Sequence, residues 1–291
     1  MTKQTAELVN PVKENKPAPN RRSFIKRASA VGATGVLGFG GLLSLASAHE
    51  NQEGVKGRPQ VSGGILDGLN RHDFDILIAA EIAEALAVTT YSNIIVTAPF
   101  FGRLASDDQG YLQNARQEEM SHYLLEQAVS GSPSPFTSFF YPSNMFDDAQ
   151  TTLNVLVTLE DAFIAAYLVG VRQFSTADLR VTAARIMGIE SDHRTLARVV
   201  GPGVSATDGG PIETITGIQG VAESVDPPNN NGYERTLCWT EIQQAVQALT
   251  PFVDVNAAEA AHFDTSKSFA FEPFSPTLPL ALGDFISLKG C

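Results

Sequence analysis

Between Ile76 and Val200 apolar residues recur three and four apart in long runs, the period of helices that bury one face. The first run carries Ile76, Leu77, Ala80, Val88, Tyr91 and Ile95; either Asn70 or Asp73 can cap it, and Pro99 stops it. A second run opens at Ser106-Asp107-Asp108-Gln109, which has the form of a capping box. It turns Leu112, Ala115 and Leu125 inward and ends near Ser130-Gly131. The third extends from about Asp147 to Phe174 with Leu153, Leu156, Phe163 and Tyr167 aligned. Ser175, with Asp178 three residues later, is the expected cap of the fourth, which carries Ile186 and Leu196 inward and ends before Gly201-Pro202-Gly203. Four helices of this length predict a bundle over residues 67–200. Ser132 to Asn144 holds three Pro and three Phe and is long for a turn between bundle helices. It is expected to cross over one end of the bundle.

After residue 200 the periodicity fades. Residues 201–235 are rich in Gly, Pro and Asn and read as irregular; Thr236 to Thr250 predicts a fifth, shorter helix bearing Trp239, the only tryptophan. Beyond Pro251 the chain reads as an extended tail containing Phe269, Phe271, Phe274, Pro276, Pro279 and Phe285. So little regular pattern cannot make its own core, and residues 201–291 are expected to cover the bundle or a second subunit of a homo-oligomer. The fold class is therefore an all-α core with a mostly irregular extension.

The helical stripes contain carboxylates where apolar residues belong. Glu84 is followed seven residues later by Tyr91, and Glu160 by Tyr167 at the same distance. Beyond the tyrosines, 28 and 23 residues on, comes a Glu-x-x-His pair, Glu119-Met120-Ser121-His122 and Glu190-Ser191-Asp192-His193. Residues three apart share a helix face, so each Glu and His of a pair can reach one point. An unpaired carboxylate in a core is costly, and a bound metal removes that cost. One Glu from each of two helices and Glu-x-x-His from each of the other two is the donor set of a two-metal site in a bundle core. Glu259-Ala260-Ala261-His262 repeats the pair but has no matching upstream Glu helix, and it reads as a coincidence.

These residues resemble the ferritin-like superfamily, in particular exported ferritin-like-domain proteins that include desiccation-associated members. The phrases from Ala80 to Tyr91 and from Leu159 to Tyr167 look like that family's first and third helices, and the likeness covers roughly Arg71 to Val200. The resemblance implies an antiparallel four-helix bundle around a carboxylate-bridged pair of iron or manganese ions. Carried over by position, Glu84 and Glu160 would be terminal ligands, Glu119 and Glu190 would bridge, and His122 and His193 would each bind one metal. Tyr91 and Tyr167 would lie beside the metals without binding them. Glu81, one turn before Glu84, competes with it and is read as a neighbouring carboxylate; Glu126 is read as a flanking salt-bridge partner, and Glu118, about 100° off Glu119, as solvated.

The first 48 residues stand apart. Asn20-Arg21-Arg22-Ser23-Phe24-Ile25-Lys26, the Gly-rich apolar run Val31 to Ser47 and the small-residue site Ala46-Ser47-Ala48 form a twin-arginine export signal, with residues 49–66 a linker. Cleavage after Ala48 predicts a periplasmic or extracellular protein no longer tied to the membrane. The formal charge of −12 becomes −17 without those residues, which argues against nucleic acid and anionic lipid as partners. Cys238 and Cys291 allow one disulfide in an oxidising compartment. No Gly-rich phosphate loop, Cys-x-x-Cys pair or serine nucleophile motif is present. Two functions from different classes follow: a two-metal oxidoreductase acting on ferrous iron with dioxygen or peroxide, or a non-catalytic exported stress or desiccation protein that keeps the bundle without using metal.

Overall fold

A computed structural model describes residues 69–200 and 237–277. The expected export signal, linker, irregular segment after residue 200 and C-terminal end, with Cys291, lie outside the described residues. Four long helices form the body: α1 (Arg71–Thr97), α2 (Ser106–Ser130), α3 (Ala149–Gln173) and α4 (Ala177–Val199). Three further elements follow the gap: α5 (Ile242–Val253), α6 (Val255–Ala260) and a strand (Phe263–Ala270) that pairs with another at Ser138–Pro142.

The start of α1 is fixed by a reciprocal cap. The Asn70 side chain accepts the Asp73 N–H at 3.1 Å, and the Asp73 carboxylate accepts the Asn70 N–H at 2.9 Å. The helix ends where Ala98, preceding Pro99, turns extended (φ −72°, ψ 121°). Every residue from Ala79 to Tyr91 is buried, so α1 is enclosed on all sides and not along one stripe. Its two interior threonines satisfy their hydroxyls on the Ala85 and Leu86 carbonyls.

Two expected caps are corrected. Helix α2 is preceded by Ala105 with no side-chain cap, so the capping box at Ser106 does not form; Asp107 and Asp108 still place negative charge at its positive end. Helix α4 is capped by Thr176, which accepts the Leu179 N–H, and not by Ser175. Ser175 is drawn away because its N–H and hydroxyl both donate to Asp73. That contact joins the α3–α4 turn to the beginning of α1.

It also fixes the topology. Helix α2 returns antiparallel to α1 after a short connection, and α3 likewise ends beside the start of α1. Helices α2 and α3 therefore run the same way, and the segment between them must travel the length of the bundle, not over one end as expected. On its way Tyr123 accepts the Ser134 N–H, and the Tyr141 hydroxyl meets Thr90 at 3.0 Å. Gly131, at φ 78°, gives α2 its left-handed exit into that segment.

The crossover is not all irregular. Ser138–Pro142 is strand β1, and Phe263–Ala270, expected as part of an extended tail without regular pairing, is its antiparallel partner β2. Tyr141 packs edge-on against Phe146, Phe252 and Phe269, so the aromatic residues of the tail seal one flank of the bundle. The fifth helix starts six residues later than expected and continues through Pro251. Its opening is set by Gln244, whose side-chain oxygen accepts the Glu241 N–H. Helix α5 contributes Ile242 and Ala245 to one apolar cluster, with Ile76, Leu77 and Leu179, and Leu249 and Phe252 to another, with Leu86, Leu112 and Leu156. Glu84 and its polar neighbours lie in neither cluster.

Candidate metal centre

The middle of each long helix supplies one part of the site. Helices α1 and α3 contribute Glu84 and Glu160; α2 and α4 contribute the Glu119/His122 and Glu190/His193 pairs. All six are buried, none more than 4% exposed. Their ligand atoms form two groups, Glu84, Glu119, His122 and Glu190, and Glu119, Glu160, Glu190 and His193, each with its donor atoms within 4.8 Å of one another. Glu119 and Glu190 belong to both.

The way those two carboxylates divide decides what the cluster can do. His122 Nδ1 lies 3.7 Å from Glu119 Oε2 and 3.2 Å from Glu190 Oε1. His193 Nδ1 lies 2.7 Å from Glu119 Oε1 and 3.6 Å from Glu190 Oε2. Each carboxylate thus gives one oxygen to the His122 side and the other to the His193 side. Glu84 Oε2 completes the first group at 3.6 Å from His122 Nδ1.

None of these inward atoms makes an aligned hydrogen bond. Glu84 Oε2, both oxygens of Glu119, Glu160 Oε2, both oxygens of Glu190 and the Nδ1 atoms of His122 and His193 are buried without such a partner. Buried polar groups are nearly always paired, and eight such atoms that meet only one another in one space form the pattern of donors arranged for a cation. Carboxylate and imidazole donors suit iron or manganese.

The outward-facing atoms of the same residues are held. Tyr91 on α1 donates to Glu160 on α3 at 2.7 Å, and Tyr167 on α3 donates to Glu84 on α1. Equal Glu-to-Tyr spacing on two antiparallel helices makes this exchange: each tyrosine reaches the other helix's carboxylate. Tyr167 lies also 2.6 Å from Glu126 Oε1. One phenol proton cannot serve two carboxylates, so a proton is shared between Glu84 and Glu126. Burial first, then the charges of Glu119 and Glu190, raise the Glu84 carboxyl well above its ordinary range. Burial and Glu81 do most of the same for Glu126, and burial with Glu119 and Glu190 for Glu160. Glu119 goes the other way: burial opposes its charge, but His193 and His122 outweigh that and lower its pKa. For both imidazoles burial disfavours the cation and is outweighed, by Glu84 at His122 and by Glu119 at His193, so both pKa values lie well above normal.

Two residues, Glu118 and Glu126, were misplaced by sequence reasoning, while Glu81 lies beside the site as read. Glu118, read as solvated, lies 2.8 Å from His193 Nε2 and so faces the imidazole nitrogen opposite the cluster. Glu126, read as a salt-bridge partner, is buried and bonded to Tyr167. Glu81 is fully buried beside the site, with neither carboxylate oxygen in an aligned hydrogen bond. The coincidental pair stays apart: Glu259 and His262 are exposed at the end of α6. Cys238 is exposed, and its expected partner lies outside the described residues.

The family model described as "Ferritin-like domain" matches residues 72–201. That span holds all four long helices and all six candidate ligands, and the four-helix bundle fits that description as a fold. No curated protein and no solved structure matches the chain in the same comparisons.

Proposed function

We propose that the bundle holds a pair of iron or manganese ions bridged by Glu119 and Glu190, and that the mature protein is an exported oxidoreductase using dioxygen or peroxide to oxidise ferrous iron, or consuming peroxide. The observation that carries the proposal is the split of Glu119 and Glu190, each offering one oxygen to the Nδ1 of His122 and one to that of His193. Glu84 and His122 would complete one ion's set, Glu160 and His193 the other's. Two such ions, when bound, supply two electrons to an oxidant at one place.

The chain's own groups prepare for that charge traffic. Glu119 and Glu190 are held between two imidazoles and stay in place, whereas Glu84 and Glu160 each hang from one tyrosine hydroxyl and have an oxygen free to swing. The proton shared by Glu84, Tyr167 and Glu126 can leave the site as a cation enters and return as it leaves. The apolar clusters on either side keep bulk water out, so the donors meet ions in a low-dielectric interior. Export in a folded state, as the twin-arginine pattern suggests, would let the protein load its metal before reaching the periplasm or the exterior.

Aerobic addition of Fe²⁺ to metal-free mature protein tests the reading. The expected result is ferrous oxidation faster than in buffer, lost in Glu119→Ala and His122→Ala. Protein that stays folded and neither binds nor oxidises Fe²⁺ would favour the non-catalytic bundle.

A further inference from the structure

An apolar cavity of about 30 Å³ adjoins the centre on one side. Each long helix lines it one turn from that helix's candidate ligand: Ala80 four residues before Glu84, Glu126 four after His122, Phe163 three after Glu160 and Ile186 four before Glu190. Because α1 and α4 run against α2 and α3, all four steps lead toward the α3–α4 turn. They place the cavity about 5 Å along the bundle from the ligands. Leu77, Phe174 and Ile242 of α5 close it toward the bundle end. Among its lining residues only Ala166 on α3 and Thr182 on α4 are half-buried, so its mouth is the groove between those two helices.

The walls select by size and polarity. The space is roughly two to three times what a single water needs. Of the lining side chains only Glu126, Tyr167 and Thr182 carry polar atoms. The Tyr167 hydroxyl is engaged by Glu84 and Glu126, and Thr182 stands at the mouth, which leaves Glu126 Oε2 as the buried lining atom without an aligned hydrogen bond. One oxygen cannot satisfy hydrogen peroxide, which carries two O–H donors and two acceptor oxygens, and an unsatisfied polar molecule is costly in such a place. A cation would lose still more on leaving water. Dioxygen is apolar, needs no hydrogen bond and is small enough. Apolar cavities of this kind stay dry and take up apolar guests such as xenon.

We propose that this cavity admits dioxygen and holds it one helical turn from the centre, so that dioxygen and not peroxide is the oxidant. The inference rests on the two-metal reading and names its second substrate. Each dioxygen takes one electron from each of two ferrous ions together with two protons, and two ferric ions and one hydrogen peroxide result. Tyr167 forms part of the wall and bonds Glu84, so a single side chain separates the gas from a candidate ligand.

Xenon-pressurised crystals of the metal-free mature protein test the cavity apart from any chemistry. A xenon peak between Ala83, Phe163 and Ile186 is expected, and its absence would overturn the dioxygen site. Ala166→Phe, at a half-buried position, narrows the mouth. In ferrous oxidation followed at varied dioxygen, it should raise the KM for dioxygen about tenfold with kcat within about twofold of wild type. An unchanged KM, or a wild-type rate that peroxide supports and dioxygen does not, would overturn the site and leave the centre standing. Wild-type protein that takes up xenon but oxidises ferrous iron with neither oxidant would overturn both readings.

Discussion

His193 Nε2 lies 2.8 Å from a carboxylate oxygen of Glu118, so the ring's other nitrogen, Nδ1, is the one turned toward Glu119 and Glu190. A carboxylate at Nε2 fixes both the tautomer and the direction of the ring, and it makes Nδ1 a stronger donor. Removing it should weaken metal binding without touching a ligand. Glu118→Ala is expected to lower affinity at the His193 side by about 10- to 100-fold, and Glu118→Gln, which can still accept the Nε2 proton, by less. Because the Glu118 side chain is 38% exposed, the fold should survive. Competition titration against a chelator measures the loss; equal affinity in both variants and wild type would mean that Glu118 does not position the ring.

Among the described residues Tyr91 is the sole aligned hydrogen-bond donor to Glu160, at 2.7 Å, since Glu160 Oε2 has none. Tyr91→Phe therefore leaves a buried carboxyl with neither oxygen satisfied. The metal-free variant should lose about 1–3 kcal/mol of stability in urea denaturation. The loss should shrink in the metal-loaded protein, where an ion would share the burden of Glu160. An unchanged midpoint in the metal-free form would refute the bond.

Burial pushes Glu81 from 4.5 up to about 8. In the metal-free protein it stays neutral while the unfolded chain ionises it above 4.5. Its contribution is thus fully present below pH 4.5 and is lost as pH rises toward 8, at about 1.4 kcal/mol per pH unit. Glu81→Gln cannot ionise. The variant should match wild type near pH 4.5 and exceed it by several kcal/mol, on the order of 3–4, at pH 8. Urea denaturation at both pH values decides; a gap that does not widen with pH would contradict the buried, neutral carboxyl.

Much of the bundle was legible because its signals are local. The helical period of apolar residues, Pro99 and Gly131 marked helices close to those observed, and the order Glu84, Glu119/His122, Glu160, Glu190/His193 named the residues that converge. What stayed hidden depends on partners far away in sequence. Strands β1 and β2 are short and separated by more than a hundred residues, and neither carries a pattern of its own; they exist because each supplies the other's hydrogen bonds. Ser175 looked like the better cap until Asp73, on another helix, claimed it. Glu118 looked solvated from the angle on its own helix, which says nothing about the imidazole that α4 brings against it.

The central claim is that Glu119 and Glu190 bridge two ions. Anomalous diffraction from crystals of the manganese-loaded protein tests it most directly. The account predicts two strong peaks about 3.5–4 Å apart between α2 and α4, one beside Nδ1 of His122 and one beside Nδ1 of His193, with an oxygen of Glu119 and of Glu190 on each. A single peak there, or peaks only at surface carboxylates, would contradict it.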